Sequence, residues 1–236
     1  MDEMLATPIR ALPIVASLLL AAPAVAAAPP TGPSKAALAD RQRRWTAVFD
    51  PREGPRQLAF RAAFTDVQGA HELRVWRDGT ARLRRRTDDR LDLYVARAPS
   101  GALAFQVVDI QRKLLLPLDR ASLARLGAAA DFRALSGVPV MPGEDFVLAP
   151  EPRLAETLPA GSCRWYDLLV ISSPPARSRI CWARKLGIPL LIRRVDADGT
   201  QPLIFEVKEA TPSQLDPALL VPPRDLTSLN GTAPRD

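Results

Sequence analysis

Apolar and polar residues alternate through most of the chain after residue 56. This period of two is that of a β-strand, in which successive side chains point to opposite faces. The segments with this pattern are QLAFRAAF, HELRVWR, TARLRRR, RLDLYVA and ALAFQVVDI. Farther along, strands are predicted again for DFVLAP, CRWYDLLVIS, RSRICWAR, IPLLIRRVD and LIFEVKEAT. Asp-Gly pairs at Asp78-Gly79 and Asp198-Gly199 favour tight turns between strands. The sequence therefore predicts ten strands, several of them joined as hairpins.

The alternation also assigns the two faces of the first half of this sheet. One face is predicted to be apolar and carries Leu73, Val75, Leu83, Leu91, Leu93, Val95, Leu103, Phe105 and Val107. The opposite face is predicted to be solvated and carries Arg74, Arg82, Arg84, Arg86, Asp92 and Gln106. This division is typical of an antiparallel sheet that is covered on a single side.

Two segments replace the alternation with apolar residues at helical spacing. Residues 34–50 predict a helix with one apolar face made of Leu38, Trp45, Val48 and Phe49. Residues 119–137 predict one or two short helices from Leu123, Leu126, Phe132 and Leu135, with a break at Gly127. Since no repeat or domain-sized linker occurs, we expect a single α+β domain over residues 34–223 and a flexible polar tail over 224–236.

The first 26 residues have the pattern of a secretory signal peptide. An apolar run begins at Ala11, follows Arg10 and ends in the small-residue pattern Ala24-Val25-Ala26. Pro13 and Pro23 shorten the uninterrupted apolar stretch well below the roughly 20 residues of a membrane-spanning helix. We therefore expect residues 1–26 to be removed on export, a Pro-rich lead-in at 27–33, and a soluble periplasmic or secreted product.

Export leaves a basic protein. Loss of Arg10, Asp2 and Glu3 from the 32 basic and 26 acidic residues raises the net charge from +6 to +7. This charge favours anionic partners such as a membrane surface or an acidic envelope protein, while nucleic acid is not expected for an exported protein. A basic face of Arg82, Arg84 and Arg86 could bind such a partner; the alternative is an ordinary solvated strand face.

The two cysteines, Cys163 and Cys181, allow three interpretations. A zinc site needs about four ligands, which two cysteines and one distant histidine do not supply, and a thioredoxin-like motif needs a Cys-x-x-Cys spacing. A disulfide is the simplest pairing in an oxidising compartment. A tight hairpin at residues 173–176, however, would place Cys181 opposite Leu169 or Val170, so the bond would require the strands to separate near Asp167 or to bulge.

Catalytic patterns are scarce. His71 is the sole histidine, and no Gly-x-Ser-x-Gly, phosphate-binding glycine loop or His-Glu-x-x-His pattern occurs. The acidic pairs Asp88-Asp89 and Glu144-Asp145 lie in segments that favour turns. We therefore predict no catalytic residues, no metal and no cofactor, and a hydrolase is the least favoured class.

Several short motifs resemble the periplasmic lipoprotein-carrier (Lol-type) superfamily. The similarity covers most of the residues after the signal and includes Trp76-Arg77-Asp78-Gly79, residues 118–127, Gly161-Ser162-Cys163, Ile180-Cys181-Trp182, residues 186–190, residues 196–199 and residues 216–223. The cysteine pair and the arginine-rich strand depart from that superfamily. The resemblance implies an α+β fold in which a curved antiparallel sheet, an incomplete β-barrel, wraps over short helices with an apolar concavity. It also implies a non-enzymatic role in carrying acylated lipoproteins or in envelope stress sensing.

These observations give two functional hypotheses. The first is a monomeric periplasmic protein that holds an apolar ligand, an acyl chain or the lipid of an acylated protein, against Leu83, Leu93, Phe105, Leu203 and Phe205. The second is an envelope interaction or regulatory module whose cavity is filled and whose basic face docks an anionic partner.

Overall fold

The structure is a computed structural model that describes residues 35–125 and 130–229, without the side chains of residue 124 and residues 153–156. The expected signal peptide and lead-in lie outside the described residues, as do Leu126, Gly127 and residues 230–236 of the expected tail.

Twelve strands and three α-helices occur in the described part of the chain. The strands are β1 (Gln57–Asp66), β2 (Gly69–Asp78), β3 (Arg82–Thr87), β4 (Leu91–Arg97), β5 (Leu103–Asp109), β6 (Leu114–Leu118), β7 (Phe146–Leu158), β8 (Gly161–Val170), β9 (Ala176–Ala183), β10 (Ile188–Val195), β11 (Leu203–Thr211) and β12 (Thr227–Ser228). The helices are α1 (Lys35–Val48), α2 (Arg120–Arg125) and α3 (Phe132–Leu135), with 3₁₀ turns at Pro51–Glu53 and Pro217–Leu220.

All twelve strands belong to one sheet, in the order β12-β6-β5-β4-β3-β2-β1-β11-β10-β9-β8-β7. Every neighbouring pair is antiparallel except β12, which lies parallel to β6. The sheet is curled but not closed, because β7 and β12 stand at its two ends and do not pair with each other. The expected α+β fold with an incomplete antiparallel barrel is confirmed.

The ten expected strands all form, and two further strands were missed. Strand β6 has the sequence LLLPL, an unbroken apolar run that does not alternate and that contains a proline. Strand β12 is two residues long and begins with a hydrogen bond from the Thr227 N–H to the Lys113 carbonyl oxygen, 2.9 Å. Neither segment carries the period of two on which the prediction depended.

Two apolar clusters hold the sheet to the helices. The first lies against α2 and α3 and includes Leu123, Phe132 and Leu135 together with buried residues of β1 to β5 and β8 to β11. The second joins Trp45 and Phe49 to strands β7, β8 and β9. Strand β9 is buried on both faces, since Ile180 and Trp182 belong to the second cluster and Cys181 to the first.

The prediction of the apolar face of α1 is wrong at one position, Leu38. Leu38 is 47% exposed, and the side chain buried in its place is Arg41. The Arg41 guanidinium donates to the carbonyl oxygens of Pro142 and Gly143, each at 2.9 Å, and pairs with Asp145 at 3.4 Å. Helix α1 is therefore attached to the loop before β7 by polar contacts as well as by its aromatic side chains.

The face that was expected to be solvated is partly covered. Asp92 and Tyr94 are buried there, and the Arg84 guanidinium reaches the carbonyl oxygen of Leu219 in the 3₁₀ turn at Pro217–Leu220. Leu91, which was expected to face the core, is 44% exposed. A C-terminal segment that lacks the strand pattern thus covers part of the outer face, and the alternation of β4 could not reveal it.

Cys163 and Cys181 form a disulfide with their Cα atoms 5.3 Å apart, which confirms the expected bond. The expectation that the strands must separate near Asp167 or bulge to allow this bond was wrong. Strands β8 and β9 stay paired from Val170↔Ala176 to Arg164↔Trp182, without an early separation near Asp167. Cys181 lies opposite Trp165, so Cys163 is its diagonal neighbour two residues farther along β8. Diagonal side chains on one face of a twisted antiparallel pair come close enough to bond.

Candidate functional site

The inward face of β1 to β6 is built from rows of cross-strand neighbours. One row runs through Leu58, Arg77, Leu83, Val95, Phe105 and Leu118. The next runs through Phe60, Val75, Arg85, Leu93, Val107 and Leu116. Each row is apolar apart from one arginine. The inward face therefore presents a broad apolar surface with two cations set into it.

The expected ligand-contacting residues divide into two groups by burial. Leu83 and Phe105 are buried, at 0% and 2% exposure, within the first cluster. Leu93, Leu203 and Phe205 are partly exposed and pack against that cluster. Leu83 and Phe105 therefore belong to the core of the protein, while the other three keep part of their surface exposed.

Phe64 joins these partly exposed residues, and the sequence analysis did not single it out. Phe64 on β1 pairs directly with Phe205 on β11, so the two residues share one face of the sheet. We call the four partly exposed apolar residues Phe64, Leu93, Leu203 and Phe205 the inner patch. The alternation of QLAFRAAF places Phe64 on the same side as Leu58 and Phe60, so the signal was present in the sequence.

Arg85 lies at the inner patch. Its cross-strand neighbours are Val75 and Leu93, and its guanidinium carbon stands 6.0 Å from the centre of the Phe64 ring. It has no hydrogen-bond or ion-pair partner among the described residues. Burial lowers the pKa of Arg85. A cation in apolar surroundings that lacks a counterion is a favourable point of attachment for an anionic group.

The three arginines of the expected basic face are all paired. Arg84 and Arg86 bind the buried carboxylate of Asp92, with nitrogen–oxygen distances of 2.7 and 2.8 Å. Arg82 binds Asp78 at 3.1 Å. Burial raises the pKa of Asp92, but the hydrogen bonds from Arg86 and Arg84 outweigh it and hold the pKa below its usual range. The basic face is therefore largely neutralised within the protein.

His71 is held between two carboxylates at the end of β2. Its Nδ1 is 2.6 Å from Asp88 and its Nε2 is 3.2 Å from Asp66. The hydrogen bond with Asp88, opposed by partial burial and supported by Asp66, raises the pKa of His71. The ring also stacks on Phe64 with 5.0 Å between the ring centres. With both nitrogens bound to carboxylates, this histidine serves to fix the strand ends beside the inner patch.

A cavity of about 460 Å³ lies beside α3 and the end of β2. Arg52, Arg56, Arg77 and Arg133 line it, and we call it the arginine cavity. Asp78 also lines it and is bound to Arg56 as well as to Arg82. The sequence analysis did not connect these arginines, because they come from three separate segments of the chain.

Within residues 35–125 and 130–229 there is no group of three or more metal-ligating side chains. Over the same range, no helix has the length and apolar character needed to cross a membrane.

No protein-family model matches the chain, and no curated protein matches it. Among solved structures, an uncharacterised conserved protein from Thermus thermophilus is 13% identical with a TM-score of 0.48; the match covers 81% of this chain and 98% of that one. A chain of the MucA/MucB complex from Pseudomonas aeruginosa is 10% identical with a TM-score of 0.45; the match covers 80% of this chain and 63% of that one. A proposed outer membrane lipoprotein-sorting protein domain from Vibrio parahaemolyticus is 10% identical with a TM-score of 0.26; the match covers 69% of this chain and 73% of that one.

At these identities and TM-scores the likenesses carry no argument about function. The resemblance to the Lol-type superfamily stays a prediction from the sequence. The described residues define a curled antiparallel sheet whose inner side carries partly exposed apolar residues and a cation, Arg85, without an ion-pair partner among them.

Proposed function

We propose that the chain is an exported, non-enzymatic binding protein that holds an acyl chain against the inner patch. The observation that carries this proposal is the partly exposed apolar surface of Phe64, Leu93, Leu203 and Phe205 on the inner side of the sheet. Apolar surface of this kind is favourable to cover, because each buried methylene contributes about 0.8 kcal/mol. Ten methylenes would contribute about 8 kcal/mol before the cost of immobilising the ligand is subtracted.

Arg85 determines which end group the ligand carries. Its guanidinium lies beside the Phe64 ring and lacks a carboxylate partner in the described part of the chain. An acyl chain with an acidic end can place that group on Arg85 while its tail covers the inner patch. A neutral lipid would leave the cation unpaired, so we propose a preference for anionic amphiphiles.

Binding of palmitate and of hexadecanol, measured by competition with a fluorescent fatty acid on delipidated protein, tests both parts of the proposal. We expect Phe205→Ala to weaken both ligands and Arg85→Gln to weaken palmitate at least tenfold while hexadecanol is unchanged. Leu169→Ala is the matched control, since Leu169 is an apolar strand residue that is 38% exposed on β8. Equal binding by the wild type and Phe205→Ala would contradict the acyl-chain site, and equal loss of both ligands in Arg85→Gln would contradict the role of the charge.

The cellular setting of this proposal rests on residues 1–26, whose pattern is that of an export signal. In the periplasm, the acyl chain could be carried by a free lipid or by an acylated protein, and the chemistry at the inner patch is the same. Native mass spectrometry of protein purified from that compartment would identify the bound species. Protein that is consistently free of lipid would count against the proposal.

Docking of an anionic partner through the basic face receives less support. Arg82, Arg84 and Arg86 are already paired with Asp78 and Asp92, so the attraction that they offer an external anion is reduced. The hypothesis stays a prediction, and replacing the three arginines together by glutamine is its test.

A further inference from the structure

Arg77 occupies an unusual position for a charged residue. It lies between Leu58 and Leu83 in an apolar row, and only 3% of its surface is exposed. Its one hydrogen bond among the described residues runs from Nη2 to the carbonyl oxygen of Leu186, at 3.3 Å. Its Nη1 is buried and has no partner in that part of the chain.

This arrangement is costly for the free protein. Burial lowers the pKa of Arg77 to about 10, so the side chain is still charged at neutral pH. A buried charge without a counterion destabilises a fold strongly, and an apolar residue of similar size often serves better. Leucine at this position would complete the apolar row, so packing alone gives no reason for arginine.

The arginine cavity supplies the missing context. Arg77 lines it together with Arg52, Arg56 and Arg133. Asp78 is the acidic residue among its lining, and that carboxylate is bound to Arg56 at 3.1 Å and to Arg82 at 3.1 Å. The charge of Arg77 is therefore not balanced inside the cavity.

We propose that the arginine cavity binds an oxyanion of the phosphate type, with Arg77 as its buried ligand. The volume of about 460 Å³ lies within the range of small-molecule sites. A phosphate group carries several oxygens that more than one guanidinium can bind at once, with the two-pronged geometry that arginine favours. The oxyanion would offset the buried charge of Arg77. This site is distinct from the inner patch, and its ligand is defined by phosphate chemistry, whether free or in a lipid headgroup.

The test is binding of inorganic phosphate and of dihexanoyl phosphatidic acid below its micellar concentration, each at constant ionic strength, by calorimetry and by thermal unfolding. We expect both probes to raise the unfolding midpoint of the wild type, because a ligand that binds only the folded state stabilises it. Arg77→Leu should bind at least tenfold more weakly, yet unfold at an equal or higher temperature without ligand. Binding of the phosphatidic acid at least tenfold more tightly than phosphate, lost in Arg77→Leu but kept in Arg85→Gln, identifies a lipid headgroup in the arginine cavity. A smaller difference between the two probes identifies free phosphate, and tight binding of the phosphatidic acid that Arg85→Gln abolishes and Arg77→Leu does not belongs to the inner patch and counts against the proposal.

Two further variants keep the result interpretable. Arg56→Gln changes a highly exposed side chain at the rim of the arginine cavity and should weaken phosphate several-fold. The variant should stay folded, because the buried Asp78 keeps its ion pair with Arg82. Arg61→Gln removes an arginine from outside the cavity and should leave phosphate binding unchanged. The proposal is overturned if neither probe binds the wild type, or if Arg56→Gln and Arg77→Leu bind as tightly as the wild type. It is also overturned if Arg61→Gln weakens phosphate as much as Arg56→Gln does, since the binding would then follow net charge.

Discussion

Replacement of Asp92 by asparagine is the most informative single change on the outer face. The Asp92 side chain is 2% exposed and accepts hydrogen bonds from both Arg84 and Arg86. Asparagine keeps the shape but removes the charge, so two arginines lose their counterion in a partly buried setting. Breaking a buried ion pair by removing one partner costs about 3–5 kcal/mol. We expect Asp92→Asn to lower the free energy of unfolding by an amount within that range.

Urea unfolding followed by tryptophan fluorescence gives this free energy directly. Asp89→Asn is the matched control, because Asp89 also pairs with Arg86, at 3.4 Å, but its side chain is 60% exposed. An exposed pair is worth at most about 1 kcal/mol. A loss in Asp92→Asn no larger than that in Asp89→Asn would refute the reasoning that burial makes the Asp92 pair important.

The same substitution should change the pH dependence of stability. The folded-state pKa of Asp92 is lowered, so the stability that it contributes is present above the unfolded-state pKa and is lost as the pH falls through the folded-state pKa. The wild type should therefore lose stability steeply below about pH 4, the usual range of an aspartate. The slope of the unfolding free energy against pH should be smaller there in Asp92→Asn. Equal slopes in the two proteins would contradict this assignment.

Three other outcomes are expected. Replacing Cys163 and Cys181 together by serine should lower the free energy of unfolding by about 3 kcal/mol, measured in urea, because the bond closes a loop with a sequence separation of 18. The wild type should lose stability as the pH rises above about 6.5, because the raised pKa of His71 stabilises the fold fully only below the unfolded-state pKa. His71→Gln should not show this loss, and thermal unfolding from pH 5 to 8 compares the two proteins. Gly187→Ala should lower the unfolding midpoint, because its φ is +64° and a Cβ would lie 2.6 Å from the carbonyl oxygen of Pro51, whereas Gly143→Ala, with open space around it, should not.

The strands were predictable because one face of the sheet is buried along nearly its whole length. Alternation then records burial directly, as in β1 to β5, which match the expected segments. Strands β9 and β10 also match their expected segments, but each has four consecutive buried residues, so alternation does not account for them. Strand β6 was not predicted because an unbroken apolar run has no alternation. Asp92 was expected on a solvated face because the Pro217–Leu220 turn, which covers this region, lies far away in sequence. Periodicity reports which side of an element is covered, but it does not report which distant segment covers the other side.

The inner patch was partly predictable for the same reason. Leu93, Leu203 and Phe205 were expected from alternation, and Phe64 follows the same pattern in β1. The inward position of Arg85 was equally predictable, because Arg85 lies two residues after Leu83 and therefore shares its face. The sequence analysis places Arg82, Arg84 and Arg86 on the outward face and assigns no face to Arg85. The arginine cavity could not be foreseen, since its residues meet only when β2, α3 and the turn at Pro51–Glu53 come together.

The arginines of β2 and β3 consequently fall into two populations. The outward ones, Arg74, Arg82, Arg84 and Arg86, have carboxylates within 3.1 Å, so their charge is largely compensated within the protein. The inward ones, Arg77 and Arg85, have no carboxylate among the described residues although burial lowers the pKa of both. Charges attract more strongly in a poorly solvated site than at an exposed surface, where salt also screens them. The arginines of these two strands should therefore act on anions mainly through the inward pair, Arg77 and Arg85, even though more of them face outward.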